Sequence, residues 1–116
     1  MTFDLRSSVR MAATKMNKTE ARFETDVLRL SQLAGELVWY RYEPLKFRLG
    51  ANLHYTPDFV GVDNTGQVIV WEVKGFWRDD ARVKIKAAAT AFPWIRFRAV
   101  QLKKKAWVTE EIQTHV

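Results

Sequence analysis

The chain has 116 residues, enough for one hydrophobic core and too few for two. With 47% apolar and 28% charged residues, it has the composition of a globular domain, so disorder is expected only at the termini. The absence of cysteine excludes disulfides, thiolate metal sites and thiol catalysis, while a net charge of +6 and a pI near 9.8 fit a polyanionic partner as well as ribosome-like or incidental basicity.

Residues 1–16 have mixed polarity and weak periodicity and read as a mobile arm, leaving a single domain over residues 17–116. The opening MTFDLRSSVR carries an early acid and no apolar segment, unlike a signal peptide. No apolar run approaches the roughly 18 residues of a membrane span. No membrane association and an intracellular setting are the expectations. Asn17-Lys18-Thr19-Glu20 has the form of a capping box. Phe23, Val27, Leu30 and Ala34 follow at helical spacing and Gly35 is a stop, which predicts a first helix from Thr19 to Ala34.

Leu37 to Leu49 is aromatic and branched but broken by Pro44, which predicts an edge strand or two short strands joined by a kink. A second strand is expected over Leu53–Val62, a turn over Asp63-Asn64-Thr65-Gly66 and a third strand over Gln67–Lys74. Asp79 and Asp80 are placed to cap a second helix that runs to Phe92 and is ended by Pro93. Ile95–Leu102 alternates as a fourth strand, and Lys103–Val116 reads as a polar helix or an extended tail. The order α-β-β-β-α-β predicts an α/β fold with a mixed sheet packed by helices.

Two acids and a lysine carry the chemistry. If Val62 pairs with Val68 across the turn, Val60 meets Val70 and Asp58 meets Glu72, with Lys74 one pleat further on the same face. Like charges opposite one another destabilise a sheet, and a bound divalent cation is a reason to keep them. Carboxylate oxygens suit Mg²⁺, which binds through one or two acids, water and substrate phosphate. Metal-assisted phosphodiester hydrolysis is the chemistry that fits, with Lys74 orienting water or neutralising charge that develops on phosphorus. The alternative is that Asp58 caps a turn after Pro57 while Glu72 and Lys74 face solvent. Against it stands the apolar run Val68-Ile69-Val70-Trp71, followed by a Glu and a Lys at alternate positions and then a glycine.

Pro57-Asp58 followed by Glu72-Val73-Lys74 resembles the signature of the PD-(D/E)XK nuclease superfamily, whose restriction-endonuclease-like core has the same α-β-β-β-α-β order. Tyr55-Thr56-Pro57-Asp58-Phe59, Glu72 to Gly75, Trp77, Asp79 and Asp80 make the chain most similar to phage endonuclease I-type Holliday junction resolvases and related small phage nucleases. The resemblance spans roughly residues 17 to 100. It implies an Mg²⁺-dependent endonuclease, with Mn²⁺ as a substitute and no small-molecule cofactor, that leaves a 5′-phosphate and a 3′-hydroxyl on branched DNA such as four-way junctions. It implies metal ligation by Asp58, Glu72 and the carbonyl of Val73, and an acid on the first helix that completes the site. Glu20 matches that place and Glu24, one turn on, is its rival. A further acid is implied after the first helix; Glu43 lies nearby, but Tyr40 occupies the matching place. The resemblance also implies the cytoplasm of a bacterial host.

Arg78, Arg82, Lys84 and Lys86 crowd the start of the second helix. Arg82 and Lys86 share a face, so Arg78, Arg82 and Lys86 are candidate phosphate contacts, with a solvated face as the alternative. Lys103-Lys104-Lys105 reads as a solvated run. His54 reads as structural, and Trp71 is expected in the core opposite Glu72. Trp77 and Trp94 fit either core packing or a dimer contact. The chain has no Ser-His-Asp order, phosphate loop or zinc spacing. With no room for a sequence-reading domain, recognition by DNA shape is expected, and because one site makes one nick, cutting two strands implies a homodimer. Other readings are the cleaving subunit of a transposition or restriction system, a catalytically silent DNA-binding module, and a basic phage structural protein.

Overall fold

The computed structural model describes residues 15–112. The expected arm lies outside these residues apart from Lys15 and Met16, which are irregular. The capping box forms as its residue types require: Asn17 Oδ1 accepts from the Glu20 N–H and Glu20 Oε1 accepts from the Asn17 N–H, each at 2.8 Å. From it run α1 (Lys18–Phe23), a π-helical turn (Glu24–Leu28) and α2 (Arg29–Leu33). In the wide turn the Arg29 N–H donates to the Glu24 carbonyl, five residues back.

That turn corrects the expected apolar stripe. Phe23 and Leu28 are both 1% exposed, although residues five apart would diverge by about 140° on a regular α-helix. One extra residue in the turn brings them onto one face. Leu30 and Ala34, expected on the buried stripe, are exposed instead.

The central sheet is mixed and five-stranded, in the order β1 (Leu37–Tyr42), β4 (Phe59–Asp63), β5 (Val68–Lys74), β6 (Arg96–Lys103) and β7 (Ala106–Glu111). Only β5 and β6 run parallel, joined through α3 (Asp79–Ala91). Between β1 and β4 the chain makes a separate hairpin of β2 (Phe47–Gly50) and β3 (Leu53–Tyr55). Pro44 separates β1 from β2, as its missing N–H leads one to expect. The single strand expected over Leu53–Val62 is divided at Thr56-Pro57-Asp58, where Pro57 is fully buried and donates to no ladder.

The predicted register holds through β4 and β5, with Val62 opposite Val68, Val60 opposite Val70 and Phe59 opposite Trp71. Asp63 fixes it at the turn: Oδ1 accepts from the Thr65 N–H, the Thr65 hydroxyl and the Gln67 N–H, and Gly66 supplies a φ of 87°. The β5 side chains alternate between two cores. Ile69, Trp71 and Val73 pack with Phe23, Leu28 and Phe59 under the first helix, while Val70 packs with Val60, Tyr55, Phe47, Ile85 and Phe97 under α3 and the hairpin. Trp71, 5% exposed, lies in the first core, as expected. At Gly61 a Cβ would stand 2.7 Å from the Trp39 carbonyl oxygen and 3.0 Å from Trp71 Cζ3, so the glycine lets β1 and the Trp71 ring close over β4.

Two further expectations are corrected. Arg78 is the N-cap of α3, and Asp79 and Asp80 lie inside its first turn, where their charge meets the helix dipole without side-chain capping. The segment after Lys103 is neither helix nor tail as far as Glu111: Lys104 and Lys105, with φ of 48° and 67°, form a two-residue turn that returns the chain as β7 against β6.

Candidate active site

The ladder between β4 and β5 ends at Phe59 and Trp71, so Asp58 and Glu72 are the next residues on the two strands. They are joined reciprocally. Asp58 Oδ2 accepts from the Val73 N–H at 2.7 Å, and Glu72 Oε1 accepts from the Asp58 N–H at 3.3 Å. Each acid holds the other's strand where Pro57 has interrupted regular pairing. Both are nearly buried, at 6% and 7% exposure.

Glu72 has further partners. Tyr55, at the end of β3, donates its hydroxyl to Oε1 at 2.8 Å, and Lys74 Nζ lies 3.2 Å from Oε2. Glu20 reaches the same region from α1. Its Oε1 accepts from the Tyr42 hydroxyl at 3.0 Å as well as from the Asn17 N–H, and its carboxylate meets Asp58. Glu24 is instead paired with Arg29 at 2.9 Å. The fold therefore brings Glu20, Asp58, Glu72 and Lys74 together and leaves Glu24 outside. Glu43, immediately after β1, donates its N–H to the Asp58 carbonyl at 2.8 Å and has a φ of 46°, a strained backbone for a residue with a Cβ.

The electrostatics follow from this crowding. Burial and the neighbouring Glu72 raise the pKa of Asp58; the Val73 N–H opposes them and Glu20 adds to them. Burial also raises Glu72, against the opposing pull of Lys74, Tyr55 and the Asp58 N–H. Burial lowers Lys74, but Glu72, Asp58 and Glu20 outweigh it and leave the ammonium raised. Burial and the Glu72 carboxylate push the Tyr55 hydroxyl well above its ordinary range, so it acts as a donor.

A cleft of about 460 Å³ reaches this group at Glu72 and Lys74, without Asp58 or Glu20 in its lining. Glu72, Lys74, Tyr55 and Thr56 line it together with Lys46, His54, Asp80, Ala81 and Lys84. Of the expected phosphate contacts, Arg82 is engaged elsewhere: Nη1 lies 2.9 Å from Glu110 Oε2 on β7, and its guanidinium sits 5.6 Å from the Trp77 ring centroid. Arg78 and Lys86 are exposed and do not line the cleft. Trp77 anchors the loop before α3 through its Nε1–H to the Val100 carbonyl, and Trp94 is exposed. Sequence reasoning missed Tyr55 and Tyr42 as partners of the acids, and Lys46 as a cleft residue. Tyr55 is the one buried residue of β3, after an exposed Leu53 and His54, and nothing local in the sequence says what it meets.

The acids here offer carboxylate oxygens, the ligand type of a hard divalent cation. Among the described residues no three His, Asp or Glu side chains converge as a ready-made ligand group. The set that fits is therefore the Asp58–Glu72 pair, in keeping with the one or two carboxylates through which Mg²⁺ characteristically binds. No family model, no characterised protein and no solved structure matches the chain.

Proposed function

We propose that the protein is an Mg²⁺-dependent DNA endonuclease with a restriction-endonuclease-like core, resembling the PD-(D/E)XK superfamily. The observation that carries this reading is the pair of buried acids, Asp58 and Glu72, each bonded to the other's strand, with Lys74 3.2 Å from Glu72. A structural role alone would be served better by neutral side chains, because buried like charges raise one another's pKa and oppose folding. Mn²⁺ is expected to substitute for Mg²⁺.

Asp58 and Glu72 would hold the cation, with the Val73 carbonyl as a further ligand, and when bound it would activate water and stabilise the leaving oxygen. Glu20, 8% exposed and beside Asp58, would complete the site by holding the cation or a water on it. Lys74 donates to the attacking water or to a phosphate oxygen, as its short link to Glu72 and its half-exposed stem allow. Tyr55 keeps Glu72 in one rotamer by donating to Oε1. The resemblance implies that hydrolysis would leave a 5′-phosphate and a 3′-hydroxyl.

The substrate we propose is branched DNA such as a four-way junction, read by shape, with a homodimer supplying two sites in the cytoplasm of a bacterial host. No described helix is long and apolar enough to cross a membrane. The test is nicking of four-way junctions and of linear duplex by the purified protein with Mg²⁺. Faster cleavage of junctions supports the assignment. Binding without cleavage at any divalent cation concentration would instead identify a silent DNA-binding module.

A further inference from the structure

The cleft holds cations that the acid group leaves unused. Lys46 enters it from just before β2 and Lys84 from α3, and both are exposed. Elsewhere Arg22, Arg29, Arg82 and Arg98 each pair with a carboxylate. Among the described residues, Lys46 and Lys84 have no such partner. Two ammonium groups without a carboxylate partner, from different elements, thus line the same cleft as Glu72 and Lys74. Each carries three donors on a flexible stem, a pattern suited to phosphate oxygens and indifferent to base identity.

The dimensions restrict what enters. At about 460 Å³ the cleft has the scale of a small-ligand pocket, room for a short length of one sugar–phosphate strand and not for a duplex. We propose that Lys46 and Lys84 seat the phosphates flanking the scissile one on a single DNA strand, while the remaining DNA stays outside the cleft. This rests on the endonuclease reading, and it moves the phosphate contacts from Arg82, which is held by Glu110, to the hairpin and the cleft side of α3. Because both contacts are to the backbone, they position a strand at Glu72 without choosing its sequence.

The test is the salt dependence of DNA binding by the full chain. Binding of a labelled four-way junction is measured with Ca²⁺ between about 50 and about 200 mM salt. Each phosphate contact contributes about 0.7 to 0.9 to the slope of log K against log salt, so the double variant Lys46→Gln/Lys84→Gln should lose about 1.5. The variant Lys103→Gln/Lys105→Gln, on the β6–β7 turn, should keep the wild-type slope. An unchanged slope in the first variant, or an equal loss in both, overturns the seat. Nicking is scored separately: nicking by wild type with an unchanged slope in the first variant rejects the seat and keeps the endonuclease. A slope loss confined to the first variant without nicking by wild type keeps the seat and rejects the endonuclease.

Discussion

Neutralising Asp58 should stabilise the metal-free fold, the opposite of what removing a structural buried acid would do. In Asp58→Asn the side-chain oxygen can still accept from the Val73 N–H, now 2.7 Å from Oδ2, so the strand link survives. Its loss of charge assistance costs about 1 kcal/mol. Against that, burial and Glu72 raise the folded pKa of Asp58 above its unfolded value, so keeping this acid in the folded state costs on the order of 3 kcal/mol at neutral pH that a neutral amide does not. Glu72 and Glu20 are both beside Asp58. The net expectation is a gain of about 2 kcal/mol, or roughly 8 °C in Tm for a chain of this size. Thermal unfolding in EDTA measures it. Mg²⁺ should then raise the Tm of wild type by mass action and leave Asp58→Asn nearly unmoved. A variant less stable than wild type in EDTA, or an equal rise in both with Mg²⁺, would refute the metal-site reasoning.

The pH dependence has a defined sign. Burial and mutual repulsion raise the folded pKa values of Asp58 and Glu72 above their ordinary 3.8 and 4.5. The native state therefore holds protons that the unfolded chain releases, so metal-free stability is greatest below those ordinary values and falls as pH rises towards the raised ones; urea midpoints in EDTA across pH 5 to 8 should decline for this pair, and less so in Asp58→Asn. Gly61→Ala should destabilise by about 1–3 kcal/mol in denaturant titration, since the new Cβ meets the Trp39 backbone oxygen at 2.7 Å and cannot be relieved by a rotamer change. The pair Lys104→Asn/Lys105→Gly should stabilise by about 1 kcal/mol, because both positions have positive φ and both lysines are strained there; an unchanged urea midpoint would count against that. Tyr55→Phe removes the 2.8 Å bond to Glu72 and should cost about 1–3 kcal/mol in the same titration.

The strands that carry the acids were legible because their pattern and their turn agreed. The apolar run Val68–Trp71 and the Asp63–Gly66 turn select one register, and a slip by one residue would have put Asp58 and Glu72 on opposite faces. The capping box was legible for a similar reason, since Asn17 and Glu20 satisfy each other's backbone within four residues. Elements whose determinants lie elsewhere in the chain were not. The π turn exists because Phe23 and Leu28 both find room in the core beneath the first helix, which local periodicity does not encode. The Lys104-Lys105 turn lacks the Asn-Gly signal of its type, so β7 stayed hidden behind a run of charges. Tyr55 and Glu72 are seventeen residues apart, and their bond depends on the hairpin folding back over β5.

Conversion of supercoiled plasmid to the nicked circle tests the central claim most directly. Wild type, Asp58→Asn and Glu72→Gln are compared with Mg²⁺, with EDTA as the blank. The expected result is nicking by wild type that stops in EDTA and slows at least about 100-fold in each variant, the scale of losing a charge-stabilising group. Equal activity in all three proteins would contradict the account.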